Sequence, residues 1–382
     1  MNLDFPYAAA LDALKDDHRL RSLKPRAGID FSSNDYLGLA SNPRMRKAIS
    51  AAIEAGTPIG AGGSRLLRGN CAEHESLEAE AARFFGAEAA IYLATGYTAN
   101  FAVITTLPQR GDLLVLDQLV HASIHEGARA GRAEFRFSAH NDANSVEEVI
   151  RAWRSGGGKG RVWIVAESLY SMDGDFAPLE ALVEIADQHD AFLMIDEAHA
   201  TGVFGPSGRG LTAAYEGRET LIAIHTCGKA LGAAGALVAT TRPLRDFLVN
   251  RCRPFIFSTA PSPLMAVAVQ EALSILREEP EHQQRLTRLI GFAQEEIGAR
   301  QGQQQGWHLS GSQIIPYIVG DNARAMALAA SLQARSFDIR GIRPPTVPVG
   351  TARLRISLTN NVDENDVRAM LGALAEVSGS GS

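Results

Sequence analysis

The sequence predicts an α/β protein, with a mostly parallel sheet in a large domain and a smaller α+β domain at the C-terminus. Short apolar segments alternate with amphipathic helical patterns through the middle of the 382-residue chain. Most of the apolar segments are continuous rather than alternating, which is typical of strands buried on both faces. After about Pro261 the rhythm changes to long helices and few strands, which indicates a second architecture.

The large domain is predicted from strands and helices that follow one another. The predicted strands are Ala89–Leu93, Asp112–Leu116, Glu134–Ser138, Val162–Ala166, Phe192–Ile195, Leu221–His225 and Ala236–Thr240. The predicted helices are His74–Phe85, Thr98–Leu107, Ser123–Ala130, Ser145–Ser155 and Leu179–Gln188. This alternation predicts a mostly parallel sheet covered by helices, and ligands bind such sheets beyond the carboxyl ends of the strands.

The C-terminal part is predicted to contain two long helices followed by a smaller set of elements. These are helices Pro263–Arg277 and Glu281–Arg300, strand Gln313–Val319, helix Ala323–Ala334, strand Arg353–Leu358 and helix Glu364–Ala375. The predicted divisions are an N-terminal helix (up to Arg21) and arm at 1–40, a large domain at 41–280, a small domain at 281–377 and a flexible tail at 378–382. The Ser-Gly-Ser-Gly-Ser composition of that tail favours disorder.

Composition excludes several classes of protein. The net charge of −6 argues against a polyanion-binding surface, so nucleic acid is not an expected partner. Three dispersed cysteines form neither a disulfide framework nor a zinc-ligand set, and they favour a cytoplasmic location. No run of 18 apolar residues predicts a membrane span, and residues 1–21 lack the pattern of a signal peptide.

Two acidic residues close one of the predicted strands. Residues 195–199 read Ile-Asp-Glu-Ala-His. The same letters occur in DEAH-type helicases, which also need a Gly-x-x-x-x-Gly-Lys-Ser/Thr loop for the nucleotide phosphates. The Gly-Lys pairs at 158–159 and 228–229 are followed by glycine and alanine, so neither completes that loop. If this motif stood alone, the alternative interpretation would be the end of a strand with charged residues at the surface.

A lysine among small residues ends a second strand. Residues 225–232 read His-Thr-Cys-Gly-Lys-Ala-Leu-Gly, with Lys229 lying 33 residues after Asp196. A partly desolvated lysine can form a Schiff base with a carbonyl group. Pyridoxal phosphate needs such a lysine for its aldehyde and a carboxylate that keeps its pyridine nitrogen protonated. Lys229 and Asp196 therefore predict a site for this cofactor.

A glycine after the first strand supplies a candidate phosphate cradle. Residues 95–100 read Thr-Gly-Tyr-Thr-Ala-Asn and open a predicted helix. Backbone N–H groups at a helix N-terminus bind anions, and Gly96 places no side chain in their way. Many strand–helix turns contain glycine, so this motif alone does not indicate a phosphate site. Together with Asp196 and Lys229 it predicts the third part of one cofactor site.

Two further strand ends carry candidate groups. His121 follows the strand Asp112–Leu116, and its imidazole could stack on a planar ring, although a lone histidine is more often structural. His125 lies four residues further on, but no third ligand has metal-site spacing, so no metal is expected. Residues 168–175 follow the strand Val162–Ala166 and place the hydroxyl of Ser171 at another strand end. The alternative interpretation of this segment is an ordinary Asp-Gly turn without a binding role.

From about Phe31 to Leu374 the chain resembles the α-oxoamine synthase family of pyridoxal-phosphate enzymes. The motifs that carry the resemblance are SNDYLG at 33–38, GGSRL at 62–66, TGY at 95–97, SMDG at 171–174, DEAH at 196–199, GK at 228–229, RPPTVP at 343–348 and GTARLR at 350–355. The resemblance implies fold type I of the pyridoxal-phosphate-dependent transferases, and a homodimer with its active site at the subunit interface. One departure is Ala230-Leu231 after the Gly-Lys pair, where family members often have Gly-Phe or Gly-Tyr.

The resemblance also implies a role for each candidate residue. Lys229 would carry the cofactor as the internal aldimine, Asp196 would contact the pyridine nitrogen, and His199 the ring hydroxyl. His121 would stack on the ring, oriented by Glu167. The other implied cofactor-binding residues are Gly96, Tyr97, Ser171 and Thr226; the implied substrate-binding residues are Arg21, Asn34, His121, Thr346, Arg343 and Arg355. The sequence leaves open whether Arg343 or Arg355 binds the amino-acid carboxylate.

Local features favour one substrate pair within the family. The RPPTVP form, together with Ser64 where glycine-using members usually carry threonine, favours L-alanine with a pimeloyl group carried by coenzyme A or acyl carrier protein. A synthase that uses glycine or serine with another acyl-CoA is the alternative, followed by an aminotransferase of the same fold. A non-catalytic subunit is disfavoured, because such subunits typically lack the lysine.

Overall fold

The computed structural model describes residues 4–300 and 306–379, which fall into two compact units. The large unit comprises residues 37–170 and 176–284. The terminal unit comprises the described residues of 1–36, 171–175 and 285–382. The sequence placed boundaries after residues 40 and 280, whereas the structure divides the chain after residues 36 and 284 and adds the segment Ser171–Asp175 to the terminal unit.

Helices and strands alternate along most of the described chain. The α-helices are α1 (Phe5–Asp16), α2 (Pro43–Glu54), α3 (Ala72–Phe84), α4 (Gly96–Thr106), α5 (Ala122–Ala130), α6 (Ala143–Ser155), α7 (Leu179–Gln188), α8 (Arg242–Arg251), α9 (Arg253–Ile256), α10 (Pro263–Glu278), α11 (Glu281–Arg300), α12 (Asn322–Ala334) and α13 (Glu364–Gly379). The strands are β1 (Ile29–Asp30), β2 (Ala89–Leu93), β3 (Leu113–Asp117), β4 (Glu134–Ser138), β5 (Val162–Glu167), β6 (Phe192–Asp196), β7 (Leu221–Thr226), β8 (Ala236–Thr240), β9 (Ile314–Gly320), β10 (Phe337–Asp338), β11 (Arg340–Ile342) and β12 (Ala352–Ser357).

A seven-stranded sheet in the order β2-β8-β7-β6-β5-β3-β4 organises the large unit. Strand β8 runs antiparallel to both of its neighbours, β2 and β7, and the other pairs are parallel. Six strands therefore end on one side of the sheet, which we call the carboxyl edge. The expected mostly parallel sheet is confirmed, and the segments that follow β2, β3, β5, β6 and β7 all begin at this edge.

Both faces of the sheet are buried. In β3, Leu114 and Leu116 join an apolar cluster with residues of α4 and α5, while Leu113 and Val115 join a second cluster with residues of α6 and α7. Successive side chains of a strand point to opposite faces, so this division shows helices on each side. Burial on both faces explains why these strands are continuous apolar runs in the sequence.

The terminal unit is an α+β structure, as the sequence predicts. Its main sheet is antiparallel, in the order β11-β12-β9, and α12 and α13 contact one another. Strands β1 and β10 form a separate parallel pair of two residues each. The sequence did not predict β1, β10 or β11, because such short strands depend on partners far away in the chain.

The first helix ends at Asp16 and not at Arg21, which corrects the sequence prediction. His18 adopts a left-handed backbone with φ of 53°. The N–H groups of Arg19 and Leu20 then donate to the carbonyl of Leu14 at 2.7 and 3.0 Å, a pattern that terminates helices. Residues 19–21 are thereby free of the helix and available for contacts within the terminal unit.

The last helix extends beyond its predicted end. Helix α13 runs to Gly379, and the Ser378 hydroxyl donates to the carbonyl of Leu374 at 2.7 Å. The first two residues of the predicted flexible tail are therefore helical, while residues 380–382 lie outside the described residues. Within the described chain, no helix is long and apolar enough to cross a membrane.

A buried histidine packs in the middle of β7. The ring of His225 stacks on Phe85 with centroids 3.5 Å apart and planes inclined by 10°. The Thr201 hydroxyl donates to the carbonyl of Glu197 at 2.8 Å, so its oxygen accepts from Nδ1 of His225 at 2.9 Å. Burial lowers the pKa of His225 to about 3, so this ring stays neutral in the folded protein at neutral pH.

This packing predicts a specific acid sensitivity. The unfolded chain binds a proton at His225 below its ordinary pKa of 6.5, whereas the folded chain does not until about 3. Stability should therefore decrease as the pH falls from 6.5, by on the order of 2 kcal/mol at pH 5 from this residue alone. In His225→Asn, whose amide can still donate to Thr201, the difference in urea midpoint between pH 7 and pH 5 should be smaller than in the wild type. An equal difference in both proteins would contradict this assignment.

Candidate active site

The carboxyl edge gathers most of the predicted cofactor residues in the large unit. Gly96 and Tyr97 follow β2, His121 follows β3, Glu167 ends β5, Asp196 and His199 lie at and after the end of β6, and Thr226 and Lys229 lie at and after the end of β7. The strand order places β6 between β5 and β7, which brings the acidic residue of β6 near the lysine. The parallel strands thus concentrate polar groups from distant parts of the sequence.

Lys229 lies against the histidine of the DEAH motif. Its Nζ atom is 2.8 Å from Nε2 of His199, within hydrogen-bonding distance. His199 is buried, whereas Lys229 keeps part of its surface exposed. The lysine amine is therefore both oriented by a neighbour and accessible.

Asp196 is a buried carboxylate with donors on both oxygens. Its Oδ2 accepts a hydrogen bond from Nδ2 of Asn100 at 2.7 Å, and its Oδ1 accepts from the backbone N–H of Ala198 at 2.9 Å. Both oxygens of this buried acid therefore have a hydrogen-bond partner, as buried polar groups require. An ionised carboxylate in this place can hold a proton on a facing nitrogen base.

Asn100 was given no role by the sequence analysis. It lies in α4, one helical turn beyond Gly96, and is 2% exposed. The spacing of four residues from Gly96 was the signal that could have indicated Asn100 as a site residue. Residues four apart lie on the same face of a helix, so Asn100 lies near the anion site where α4 begins. The contact with Asp196, 96 residues away, depends on the tertiary structure.

His121 occupies the N-cap of α5 and meets Tyr97. The two rings lie edge to face with centroids 6.3 Å apart. Desolvation by the surrounding protein lowers the pKa of His121. The charge of Asp196 raises this pKa, and the charge of Lys229 lowers it further. His121 is an exposed residue, so an aromatic side chain is accessible at the carboxyl edge.

The N-terminus of α4 is a candidate anion site. Thr95 caps the helix by accepting from the N–H of Thr98 at 3.0 Å. Within the described residues, the N–H groups of Gly96 and Tyr97 have no acceptor. A Cβ on Gly96 would lie 2.4 Å from Cγ2 of Thr226, so glycine is required for this close approach. The side chain of Tyr97 points elsewhere, because its hydroxyl donates to Glu126.

Glu197, the neighbour of Asp196, has a structural role. Burial raises the pKa of this fully buried carboxyl group, against the lowering effect of its hydrogen-bond donors. Its oxygens accept from the Ser168 hydroxyl at 2.9 Å and from the N–H groups of Leu211 and Thr212 at 3.1 and 2.5 Å. These bonds hold the 3₁₀ segment Leu211–Tyr215 and leave the carboxyl group no free surface.

The remaining predicted residues lie in the terminal unit. Arg355 is buried, and it donates to the carbonyl of Ser171 at 2.6 Å, to the hydroxyl of Ser357 at 2.7 Å and to that of Tyr36 at 3.3 Å. Tyr36 in turn donates to Oδ1 of Asn34 at 3.1 Å. Arg355, Ser171 and Asn34 therefore belong to one hydrogen-bonded group.

A second group joins the N-terminal arm to the loop at 343–346. Arg343 donates to the carbonyl of His18 at 2.5 Å, and Arg21 lies 3.4 Å from the Thr346 hydroxyl. Burial and the charge of Arg21 lower the pKa of the Arg343 guanidinium. Two guanidinium groups stand close together here, and neither forms an ion pair within the described chain. This is an arrangement suited to an anion.

The large unit also contains a cavity of about 480 Å³ that none of these residues lines. It lies among Phe101, Gln109, Phe247 and three exposed arginines, Arg132, Arg251 and Arg253. The candidate site is thus defined by its chemical groups and not by cavity size. Among the described residues, no cluster of His, Cys, Asp or Glu is placed to hold a metal ion.

The groups at the carboxyl edge fit a planar phosphorylated aldehyde with a basic ring nitrogen. Two free N–H groups at the start of α4 suit the phosphate, and the accessible amine of Lys229 suits the aldehyde. The side chain of Asp196, held by two hydrogen bonds, suits the ring nitrogen, and His121 supplies an accessible aromatic side chain. All of these groups belong to the large unit.

Residues 26–374 match the family model described as aminotransferase class I and II. The chain belongs to this family. It is 42% identical over 363 residues to the 8-amino-7-oxononanoate synthase of Cupriavidus necator, covering 92% of this chain and 88% of that protein. It is 40% identical over 390 residues to the enzyme of the same name from Geobacter sulfurreducens, covering 97% of both chains.

Solved structures show the same architecture. A serine palmitoyltransferase from S. paucimobilis with a bound PLP–myriocin aldimine matches with a TM-score of 0.89 and 27% identity, covering 100% of this chain and 99% of that one. An 8-amino-7-oxononanoate synthase from Francisella tularensis matches with a TM-score of 0.78 and 27% identity, covering 92% and 98%. The predicted fold type I and the resemblance to α-oxoamine synthases are confirmed.

The contact between Gly96 and Thr226 predicts a compensating pair of substitutions. Gly96→Ala should destabilise the protein by about 1–3 kcal/mol, because the added methyl group overlaps Cγ2 of Thr226. Thr226→Ser removes that atom and keeps the hydroxyl, so the double variant should regain most of the loss in urea denaturation. Equal midpoints for Gly96→Ala with and without Thr226→Ser would show that the two residues are not coupled.

Proposed function

We propose that the protein catalyses the decarboxylative condensation of L-alanine with a pimeloyl thioester, using pyridoxal phosphate. The acyl group is carried by coenzyme A or by acyl carrier protein. The products are 8-amino-7-oxononanoate, the free thiol carrier and carbon dioxide, which places the enzyme in biotin biosynthesis. The observation that carries this proposal is the 42% identity over nearly the whole chain to a synthase of that name, together with the Asp196 and Lys229 site.

The comparison also ranks the alternative. Among the solved structures, a serine palmitoyltransferase and an 8-amino-7-oxononanoate synthase are both 27% identical to this chain. The curated relatives that are 40% to 42% identical carry the name of the second enzyme. Because a common fold serves many substrates, the higher identity is the better guide to the acyl group and the amino acid.

Bound pyridoxal phosphate supplies an aldehyde for the amino group of alanine and a ring that withdraws electrons from its α-carbon. In this proposal, Lys229 binds the aldehyde at rest and, once released, moves the proton of the alanine α-carbon at its Nζ atom. His199, 2.8 Å from Nζ, orients that amine. Asp196 holds the proton on the ring nitrogen, and its two hydrogen bonds fix the position of its carboxylate.

The other predicted residues receive the phosphate and the two substrates. The N–H groups of Gly96 and Tyr97 bind the phosphate, helped by Thr226 and Ser171, and His121 stacks on the ring. Arg355, buried and fixed by three hydrogen bonds within the terminal unit, binds the carboxylate of alanine beside Asn34. Arg21 and Arg343, which have no acidic partner in the described residues, bind the distal carboxylate of the pimeloyl group beside Thr346.

The working form of the enzyme in this proposal is a cytoplasmic homodimer with its active site at the subunit interface. Large apolar side chains on the surface of the large unit support such a contact, since Leu67 is 86% exposed and Phe257 is 71% exposed. The family resemblance carried by the motifs supports the same assembly.

Measuring the release of the free thiol with defined substrate pairs tests the reaction. We expect turnover with L-alanine and pimeloyl-CoA, and much slower turnover with glycine and succinyl-CoA or with L-serine and palmitoyl-CoA. Faster turnover with either of those pairs would assign the chain to another α-oxoamine synthase. Conversion of the cofactor to its amine form by L-alanine alone, without a thioester, would indicate an aminotransferase.

Lys229→Ala should abolish turnover and remove the absorbance band of the lysine-bound cofactor, because no other amine stands in its place. Lys159→Ala, an exposed lysine in a surface loop, serves as the control and should leave both unchanged. Activity of Lys229→Ala near the wild-type level would contradict the proposed role.

Asp196→Asn should retain much of the cofactor but lose activity by about 10²- to 10⁴-fold, because an amide cannot hold the ring nitrogen protonated. The exposed Asp246→Asn is the matched control. The measurements are the cofactor absorbance after gel filtration and kcat with L-alanine and pimeloyl-CoA. A loss of less than tenfold would remove Asp196 from the mechanism.

A further inference from the structure

A chain of hydrogen bonds connects Asp196 with His121 through two residues that no assigned role covers. The Nδ2 atom of Asn100 donates to Oδ2 of Asp196 at 2.7 Å and to Oγ of Ser123 at 3.0 Å. The Oγ atom of Ser123 lies 2.8 Å from Nδ1 of His121. Asn100 is 2% exposed and Ser123 is completely buried, so water does not compete for these bonds.

The direction of each bond follows from the number of hydrogens available. An amide nitrogen carries two, and Asn100 uses one toward Asp196 and one toward Ser123. The reverse orientation of the amide would place its oxygen against the carboxylate, which is repulsive. Ser123 Oγ accepts from Asn100 and still carries its own hydrogen, which it can donate to Nδ1 of His121.

A second donor faces the same nitrogen of the imidazole. The backbone N–H of Ser123 lies 3.3 Å from Nδ1 of His121, because His121 is the N-cap residue of α5. A backbone N–H can only donate, so Nδ1 is the acceptor and the unprotonated nitrogen, and the Ser123 hydroxyl then also donates to it. The proton of the neutral ring is therefore on Nε2.

We propose that Asn100 and Ser123 are positioning residues that hold Asp196 and His121 in fixed relative orientation and restrict His121 to the neutral Nε2–H tautomer. This inference deepens the proposed function and rests on it for its catalytic meaning. The ring that would stack on the cofactor then has a single polar hydrogen, at Nε2, available to a hydrogen-bond acceptor such as a substrate carboxylate or carbonyl oxygen. The acid that holds the ring nitrogen and the histidine are thereby oriented by one amide.

The tautomer of His121 can be observed directly in the holoenzyme. Protein labelled with ¹⁵N-histidine is examined by long-range ¹H–¹⁵N correlation, and the signal of His121 is assigned by its absence in His121→Gln. We expect the wild type to show the proton on Nε2. Ser123→Ala should bring the shifts of the two ring nitrogens closer together, while Ser123→Thr, which keeps the hydroxyl, should restore them. A proton on Nδ1 in the wild type, or unchanged shifts in Ser123→Ala, would overturn the proposal.

Steady-state kinetics separate positioning from a general structural effect. Ser123→Ala should lower kcat by about tenfold, with the KM for alanine within about twofold, because one oriented hydrogen bond is lost. Ser274→Ala removes a serine hydroxyl that bonds within α10 of the same unit, and it should change neither value. If Ser274→Ala and Ser123→Ala lower kcat equally, Ser123 has no special role.

The part played by Asn100 is tested by an isosteric change. Asn100→Asp keeps the shape but offers no hydrogens to Asp196 and adds a second carboxylate beside it. If donation is what matters, Asn100→Asp should bind pyridoxal phosphate more weakly than Asn100→Ala, by about tenfold. If Asn100 only fills space, the aspartate variant should bind better than alanine, which would refute the proposal. Urea midpoints of both variants identify any loss that comes from unfolding.

The tautomer and the cofactor affinity are measured without any substrate. They therefore remain informative if alanine and pimeloyl-CoA prove to be the wrong pair, which would affect the proposed function alone.

Discussion

The burial of two adjacent carboxyl groups at the end of β6 is the constraint on which the rest of the site depends. Asp196 is the last residue of β6, and Glu197 is the first residue after it. Each buried acid requires hydrogen-bond donors, because an unpaired buried charge is costly. Asp196 obtains a donor from α4, and Glu197 obtains donors from Ser168 and from the 3₁₀ segment at Leu211. The hydrogen bonds to these two acids hold α4, the segment at Ser168 and the 3₁₀ segment at Leu211 against the carboxyl edge.

The two acids show how a single motif divides its tasks. Asp196 has one hydrogen-bond donor on each oxygen, from Asn100 of α4 and from the N–H of Ala198. Burial raises the pKa of Glu197, and its oxygens accept from Ser168, Leu211 and Thr212. The difference arises from the partners that each side chain meets. The end of β6 thus carries a candidate reactive acid beside a structural one.

The left-handed turn at His18 has a comparable effect in the terminal unit. By ending α1 early, it lets Arg19 donate to the carbonyl of Pro344 at 3.1 Å and brings Arg21 to the loop at 343–346. Burial, and after it the nearby charge of Arg21, lowers the pKa of Arg343. A cluster of like charges is expected to be maintained where it serves an anion.

The sequence by itself determined the elements whose signals are local. The bounds of β2, β4, β8, α7 and α11 are those predicted, because the pattern that marks each segment lies within the segment and its immediate neighbours. The motifs around Asp196 and Lys229 likewise predicted pyridoxal-phosphate chemistry and membership of the α-oxoamine synthase family. Only the tertiary structure decided the β1–β10 pair, the end of α1 and the link from Asn100 to Asp196. The β1–β10 pair and the link from Asn100 to Asp196 depend on partners far apart in the chain, and the end of α1 depends on the left-handed backbone of His18, which no sequence pattern indicated.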